Sequence, residues 1–112
     1  MLISKISPSV EKIYTVSVTE NKIVTADYMA IIARDYTIGG KNVSFEVRFG
    51  NLELKKDGTP KRLDVLLRDY MTFTINELSE WGTDDSILHE LIANKIGKTI
   101  VEKINTNIVT TN

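Results

Sequence analysis

Signals for helices are confined to one stretch of this chain, residues 73–97, and this feature most restricts the possible fold. Thr74 and Glu77 are spaced as a capping box, in which each side chain accepts a hydrogen bond from the other residue's backbone N–H group. Gly82 then ends a short helix, and Gly97 ends a second helix that starts at residue 83 or 84. An apolar stripe at helical spacing would pack this second helix on a sheet: Ile87, Leu88, Leu91, Ile92 and Ile96.

The residues before this stretch alternate between apolar and polar with the period of two that is typical of half-buried strands. The alternation is clearest over residues 43–49. Further strands are predicted over residues 11–19, 23–37 and 62–72. The turn signals that separate the strands are Glu20-Asn21, Gly39-Gly40 and Asp57-Gly58. Consecutive strands joined by short turns predict an antiparallel meander.

Two irregularities in the strands carry further predictions. The apolar positions are odd-numbered over residues 43–49 and even-numbered over residues 52–54, so we expect a β-bulge or bend at Gly50-Asn51. Residues 28–33 are apolar on both faces, which indicates a central strand that is covered on both sides. We expect the helix on one side and another element, such as a partner subunit, on the other.

Together these patterns predict an α+β fold, in which the C-terminal helices pack on one face of a four-stranded antiparallel β-meander. Residues 98–104 would add a fifth strand at the edge of the sheet. Pro8 lies between serines, so residues 1–10 are expected to form an extended N-terminal arm. Residues 11–104 then form a single α+β domain, and residues 105–112 form a flexible polar C-terminal tail.

The composition limits the classes of partner. Apolar residues make up 42% and charged residues 26%, which is typical of a folded globular domain, and the formal net charge is −1. Because Lys and Arg are not in excess, we expect neither a nucleic-acid partner nor a membrane. There is no cysteine, which excludes disulfides and cysteine-based zinc sites, and no apolar run reaches the length of a membrane span. No phosphate-binding loop precedes a helix, so no cofactor or small-molecule substrate is expected either.

His89 is the only histidine and the natural candidate for acid–base chemistry. Asp85 lies one helical turn earlier, so the two side chains could share a metal ion with help from Asp84 or Glu90. No second cluster of acidic residues and histidine completes such a site, and no nucleophile motif accompanies it. We therefore interpret His89 and Asp85 as part of a solvated helix face and predict that the protein is not an enzyme.

Other residues are candidates for a protein–protein interface. The tripeptide Arg-Asp-Tyr occurs at residues 34–36 and again at residues 68–70. If the two strand ends meet, the Arg of each tripeptide could pair with the Asp of the other in a cross-strand charge ladder. Trp81 either fills the seam between sheet and helices or anchors an interface. The full candidate interface consists of Tyr28, Ala30, Ile32, Arg34, Asp35, Arg68, Asp69 and Trp81.

The Phe49-Gly50-Asn51 break and the run from Glu77 to Asp85 also carry a resemblance to known proteins. Over about half of its length, the chain resembles small virion structural proteins of tailed bacteriophages. This resemblance implies a connector, tail or capsid-associated subunit that is made in the host cytoplasm and assembled into the virion.

From these patterns we predict a non-enzymatic structural subunit of a protein assembly, most simply a component of a tailed-phage virion. Its partners would be further copies of the same chain in a homo-oligomer, or other virion proteins. The alternative is a small monomeric adaptor or inhibitor that binds a protein through an exposed sheet face. The third hypothesis is a small hydrolase or metal-binding protein centred on His89.

Overall fold

The computed structural model describes residues 2–36, 42–74, 76–78, 85–106 and 109–110 of the chain. The elements in these residues are β1 (Leu2–Ser17), β2 (Glu20–Tyr36), β3 (Asn42–Leu54), β4 (Pro60–Thr74), α1 (Asp85–Lys95), β5 (Thr99–Asn105) and β6 (Val109–Thr110). The strands form one sheet in the order β5-β1-β2-β3-β4-β6, and α1 packs against β1 and β5. All neighbouring strands are antiparallel except the short β6, which runs parallel to β4.

This architecture confirms the α+β class, with five antiparallel strands and a single short helix in the described residues. The fifth strand predicted over residues 98–104 is β5, at the edge of the sheet beside β1. The first of the two predicted helices falls on residues 75–82. Of these, residues 76–78 form a turn, and the others lie outside the described residues.

Residues 2–10, predicted from the sequence to form an arm, are the first part of β1 and lie between β2 and β5. Ile3 and Ile6 are buried in this segment. Pro8 lies within a shift of register against β2, where a strand accommodates a residue that has no backbone N–H group to donate. The N-terminal segment is therefore part of the core, because its neighbours on both sides are strands of the same chain.

The capping box at the end of β4 is formed. The Thr74 backbone N–H donates to Glu77 Oε1 at 2.9 Å, and the Glu77 N–H donates to Thr74 Oγ1 at 3.2 Å. The hydrogen bond from the Thr74 backbone N–H, together with one from the Thr74 side chain, holds the pKa of the Glu77 carboxyl below its usual value. Phe73 and Leu78 flank the box and are both buried in the main core, so the turn is fixed by packing as well as by hydrogen bonds.

The end of α1 follows the glycine signal that the sequence carries. Gly97 has a positive φ of 72°, a conformation that residues with a Cβ rarely adopt. The Lys98 N–H donates to the carbonyl of Ala93 at 2.9 Å, and the Gly97 N–H donates to that of Asn94 at 3.2 Å. These are the two hydrogen bonds of a Schellman motif, and they satisfy carbonyl groups that the helix leaves without an internal partner.

The predicted irregularity after residue 49 is a β-bulge. Phe49 lies opposite Leu67, whereas the next residue, Gly50, lies opposite Val65, so Leu66 is an extra residue on β4. A Cβ atom at Gly50 would lie 2.0 Å from the backbone oxygen of Asp64. The two strands thus approach so closely at the bulge that only glycine fits.

Apolar side chains are buried on both sides of the sheet. On the side of α1, the main core contains Met29, Phe45, Phe49, Leu88 and Ile92 among others. On the opposite side, Ile3, Ala30 and Leu63 form a second buried cluster, against which Tyr28 and Leu52 pack. At Tyr28 and Ala30 the second cover is therefore supplied by β1 and by the end of the β3–β4 hairpin, which corrects the expectation of a partner subunit at these two residues.

Asn51 joins the two hairpins where they diverge. The backbone pairing of β2 with β3 ends at Tyr28 and Gly50. Beyond it, Asn51 Nδ2 donates to the carbonyl of Thr25 at 2.8 Å, and the Asp27 N–H donates to Asn51 Oδ1 at 3.2 Å. The side-chain amide therefore takes the place of a peptide group in the sheet.

We expect Asn51→Ala to lower the free energy of unfolding by about 1–2 kcal/mol, because both hydrogen bonds are lost and the partly buried Asp27 N–H loses its acceptor. Asn42→Ala is the matched control, since Asn42 is exposed at the start of the same strand and should change stability by less than about 0.5 kcal/mol. Urea unfolding followed by circular dichroism measures both variants. Equal stabilities of the two would contradict the role given to Asn51.

Candidate interaction surface

The far ends of β1 and β2 form a two-stranded ribbon, residues 11–25, which is named here the β-ribbon. Within the described residues, β5 pairs with β1 only over Leu2–Ser7, and β3 pairs with β2 only from Tyr28 onward. The two strands of the β-ribbon therefore have only each other as partners in the sheet. A two-stranded ribbon on its own is at best marginally stable in water, so its side chains require contacts elsewhere.

One face of the β-ribbon contacts β4 of the same chain. Lys12 Nζ donates to the carbonyl of Leu66 at 3.1 Å and also lies 5.0 Å from the centre of the Tyr14 ring. An open groove of about 390 Å³ separates the two segments, and it is lined by Lys12, Tyr14, Val65, Leu66, Leu67 and Arg68. Because β2 and β3 lie between β1 and β4 in the sheet, this contact shows that the sheet is strongly curved.

The opposite face of the β-ribbon carries one exposed apolar pair between polar residues, and two exposed valines lie at the tip. Ile13 and Ile23 lie directly opposite each other in the register and are 63% and 58% exposed. Val16 is 60% exposed, and Val18, in the turn between the strands, is fully exposed. We name these four residues the ribbon patch. Single exposed apolar residues are common, but four on one short ribbon are more typical of a contact surface.

Comparisons of the chain with protein families, with curated proteins and with solved structures found no match. The resemblance of residues 49–51 and 77–85 to phage virion proteins therefore stays a prediction. The geometry of the described residues is therefore the basis for inferring a function.

The interface residues predicted from the sequence do not form one exposed surface. Ala30 is 0% exposed and belongs to the second buried cluster, and Tyr28 packs against that cluster. Ile32 is half-buried, whereas Arg68 and Asp69 are exposed. The side chains of Arg34 and Asp35, and all of Trp81, lie outside the described residues.

The backbone register also separates the two Arg-Asp-Tyr tripeptides. Residues 34–36 are in β2 and residues 68–70 are in β4, with β3 between them. Arg68 lies opposite Arg48, which in turn lies opposite Ala30, so the tripeptides are also displaced along the strands. Within one chain, the two tripeptides therefore do not form a charge ladder between neighbouring strands.

A different ion pair occupies this part of the sheet. Glu46 is only 2% exposed, and its Oε2 lies 2.8 Å from Nη2 of Arg48, whose Nε donates to the same oxygen at 2.9 Å. The hydroxyl of Tyr70 donates to the other carboxylate oxygen at 3.2 Å. The alternating pattern of β3 places Glu46 on the polar side of the strand. Only the spacing of Glu46 and Arg48, two residues apart on one face, could have indicated the pair.

His89 is buried, which corrects its assignment to a solvated helix face. It is 2% exposed, and its Nδ1 lies 2.6 Å from Oγ of Ser4, which is also buried. The buried face of α1 consists of Leu88, His89, Ile92 and Ala93, so it is rotated relative to the predicted stripe. The partner of His89 comes from the segment expected to be an arm, and a sequence pattern alone could not reveal that proximity.

The remaining chemistry of the described residues is limited. No group of three or more His, Cys, Asp or Glu side chains in this part of the chain is arranged to hold a metal ion. Nor does any described helix have both the length and the apolar character needed to cross a membrane. Ser4 and His89 form a short serine–histidine contact, but burial of both residues keeps a substrate from reaching the hydroxyl.

Proposed function

We propose that the protein is a non-enzymatic subunit of a protein assembly and that the β-ribbon is a contact element within that assembly. The observation that supports the proposal is the ribbon patch, with Ile13 and Ile23 on the open face and Val16 and Val18 at the tip. Complete burial of an exposed aliphatic side chain of this size is worth about 1.5–3 kcal/mol. A few such residues at the centre of an interface are enough to dominate its binding energy.

The ribbon patch favours a protein partner over a nucleic acid or a membrane. Its exposed apolar side chains would be buried against an apolar surface of a partner protein. The formal net charge of −1 creates little repulsion between copies of the chain. The near side of the β-ribbon already contacts β4, so the free side is the one available to a partner. We therefore infer self-association or incorporation beside other subunits.

The more specific proposal is a structural component of a tailed-phage virion, such as a connector, tail or capsid-associated subunit. Its support is the resemblance carried by residues 49–51 and 77–85. A projecting ribbon on a rigid curved sheet is a suitable element for contacting a neighbouring subunit. The competing proposal, a monomeric adaptor or inhibitor, uses the same patch but requires a partner of a different sequence.

We expect the double substitution Ile13→Thr/Ile23→Thr to weaken self-association at least tenfold, because it removes apolar surface while keeping residues that favour strands. Size-exclusion chromatography with light scattering, over a concentration series up to high micromolar, measures the effect. Val101→Thr is the matched control, since Val101 is exposed to a similar extent, 61%, on β5 at the sheet edge. It should leave the association unchanged, and circular dichroism should show both variants folded.

A wild-type protein that stays monomeric throughout the series would contradict self-association and favour the adaptor proposal. Equal weakening by the control would contradict the assignment of the contact to the β-ribbon. Deletion of residues 1–10 cannot decide the question, because it removes Ile3 and Ile6 from the two buried clusters and would unfold the protein.

A further inference from the structure

The contact between Ser4 and His89 lies at the seam where α1 meets the sheet, away from the β-ribbon. Ser4 Oγ and His89 Nδ1 are 2.6 Å apart, and the two residues are 0% and 2% exposed. They join two segments that are 85 residues apart in the chain. Neither residue has a part in the proposed assembly contact, so the polar pair calls for a separate explanation.

The surroundings of His89 make its protonation unfavourable in the folded protein. Burial lowers the pKa of the imidazole to about 4, although the exposed carboxylates of Asp85 and Glu90 on the same helix act in the opposite direction. From β5, the ammonium of Lys103 also lowers the pKa. This ammonium lies 2.9 Å from Glu90 Oε1 and donates to Ser86 Oγ at 2.7 Å. From β1, the facing group is the hydroxyl of Ser4, which does not titrate in this range.

The hydrogen bond itself depends on the protonation state. In neutral imidazole with Nδ1 as the acceptor, the Ser4 hydroxyl donates to it. When Nδ1 carries a proton it can only donate, so the Ser4 hydroxyl has to turn and find another acceptor in a buried site. Protonation therefore places an imidazolium in a buried seam and reverses the direction of its hydrogen bond with Ser4.

We propose that the Ser4–His89 contact is an acid-sensitive latch, which holds α1 on β1 at neutral pH and releases it in mild acid. Helix α1 is suited to opening as a unit, because it packs mainly on β1 and β5, and Lys95 adds a contact with Phe73 and with the carbonyl of Thr72 on β4. The strands β2, β3 and β4 keep their own ladders when α1 moves away. The opening exposes Leu88 and Ile92 together with the core residues beneath them.

The size of the effect follows from the two pKa values of His89. A pKa of about 4 in the closed state and about 6.5 in the open state means that the open state binds protons more readily below pH 6.5. Stability of the closed state is therefore complete above about pH 6.5 and falls as the pH decreases toward 4. Between pH 7 and pH 5 the equilibrium constant for opening should rise about 20-fold.

Hydrogen exchange measured by mass spectrometry at pH 7 and pH 5, corrected for intrinsic exchange rates, tests the latch. In the wild-type protein, we expect protection of the α1 amides to fall about 20-fold and to stay below that of the β3 amides at both pH values. His89→Gln, which cannot titrate, should abolish the difference, whereas Glu90→Gln should keep it. Unchanged α1 protection, equal protection of α1 and β3 at both pH values, or persistence of the effect in His89→Gln would each overturn the proposal.

A second measurement needs no variant and remains decisive where His89→Gln fails to fold. Because the chain has one histidine, the imidazole signals in a proton NMR spectrum belong to His89. We expect the signals of the folded protein to show no titration between pH 7 and pH 5.5. A titration midpoint above pH 6 in the folded state would overturn the latch, since the closed seam would then accept the charged form.

Discussion

Replacement of Gly50 by alanine is expected to lower the free energy of unfolding by at least about 3 kcal/mol. The added Cβ would lie 2.0 Å from the Asp64 oxygen, 2.8 Å from the Asp64 carbonyl carbon and 3.1 Å from Cα of Val65. All three atoms belong to the backbone of β4, so no side-chain rotation can relieve the overlap. Strands β3 and β4 would have to separate at the bulge, and Leu52 and Leu63 would then shift away from the buried cluster that they cover.

The other described glycines distinguish this clash from the general cost of replacing a glycine. Gly58 has a positive φ of 86° and no atom within 4 Å of its built Cβ. Gly58→Ala should therefore cost only about 1 kcal/mol, the price of an unfavourable backbone conformation. Thermal unfolding of both variants and of the wild type measures which substitution lowers the stability more. A Gly50→Ala protein as stable as Gly58→Ala would show that the close approach of the two strands is absent in solution.

The features of the fold that follow from neighbouring residues were predictable from the sequence. The parity change after residue 49 marked the position of the bulge, although the extra residue lies on β4 and Leu52 packs on the side of the sheet opposite α1. The spacing of Thr74 and Glu77 predicted their reciprocal hydrogen bonds, and Gly97 predicted the end of α1. Each of these signals lies within a few residues of the structure that it specifies.

The features that depend on sheet curvature were not predictable in this way. Residues 28–33 correctly indicated a strand covered on both sides, but nothing local showed that Leu63, more than thirty residues later, supplies part of the cover. The same limit applies to Ser4, whose partner is 85 residues away. Proline removes a hydrogen-bond donor from a strand, so the sequence around Pro8 resembles a linker. In the structure, β1 continues past Pro8 through a change of register against β2.

The curvature also determines which surface is left for partners. The face of β2 predicted as an interface is covered from within the chain, since Ala30 has no exposed surface. In contrast, the β-ribbon extends beyond the pairing with β3 and β5, and Ile13 and Ile23 stay exposed on its open face. Exposed β-branched residues in a strand are indistinguishable in sequence from buried ones, so only the pairing of the strands identifies the ribbon patch.

The second large effect is expected at Glu46, where replacement by alanine should cost about 3–5 kcal/mol. The carboxylate is 2% exposed and the side chain of Arg48 is 16% exposed, so the pair is screened little by water. Removal of Glu46 leaves the guanidinium of Arg48 largely buried without this carboxylate, and it removes the acceptor of the Tyr70 hydroxyl. The penalty therefore combines the loss of this ion pair with the loss of the acceptor for Tyr70.

Glu53→Ala is the matched control for this prediction, because Glu53 lies on the same strand and pairs with Lys61 and Arg62 at the surface. Its side chain is 34% exposed and both partners are more exposed still, so its loss should cost less than about 1 kcal/mol. Urea unfolding at pH 7 measures both variants. Similar losses for the two glutamates would contradict a special role for burial.

The double substitution Glu46→Leu/Arg48→Met removes both charges of the ion pair. Its free energy of unfolding therefore separates the cost of taking the Glu46 carboxylate from Arg48 from the net contribution of the pair. Removing both charges leaves neither ion unpaired, so this variant should be destabilised much less than Glu46→Ala. A stability equal to or above that of the wild type would mean that the pair contributes no net stability. The pair would then act on the register: its fixed hydrogen-bond geometry disfavours other registers of β3 on β4, and the observed register places Gly50 at the bulge, close to the backbone of β4.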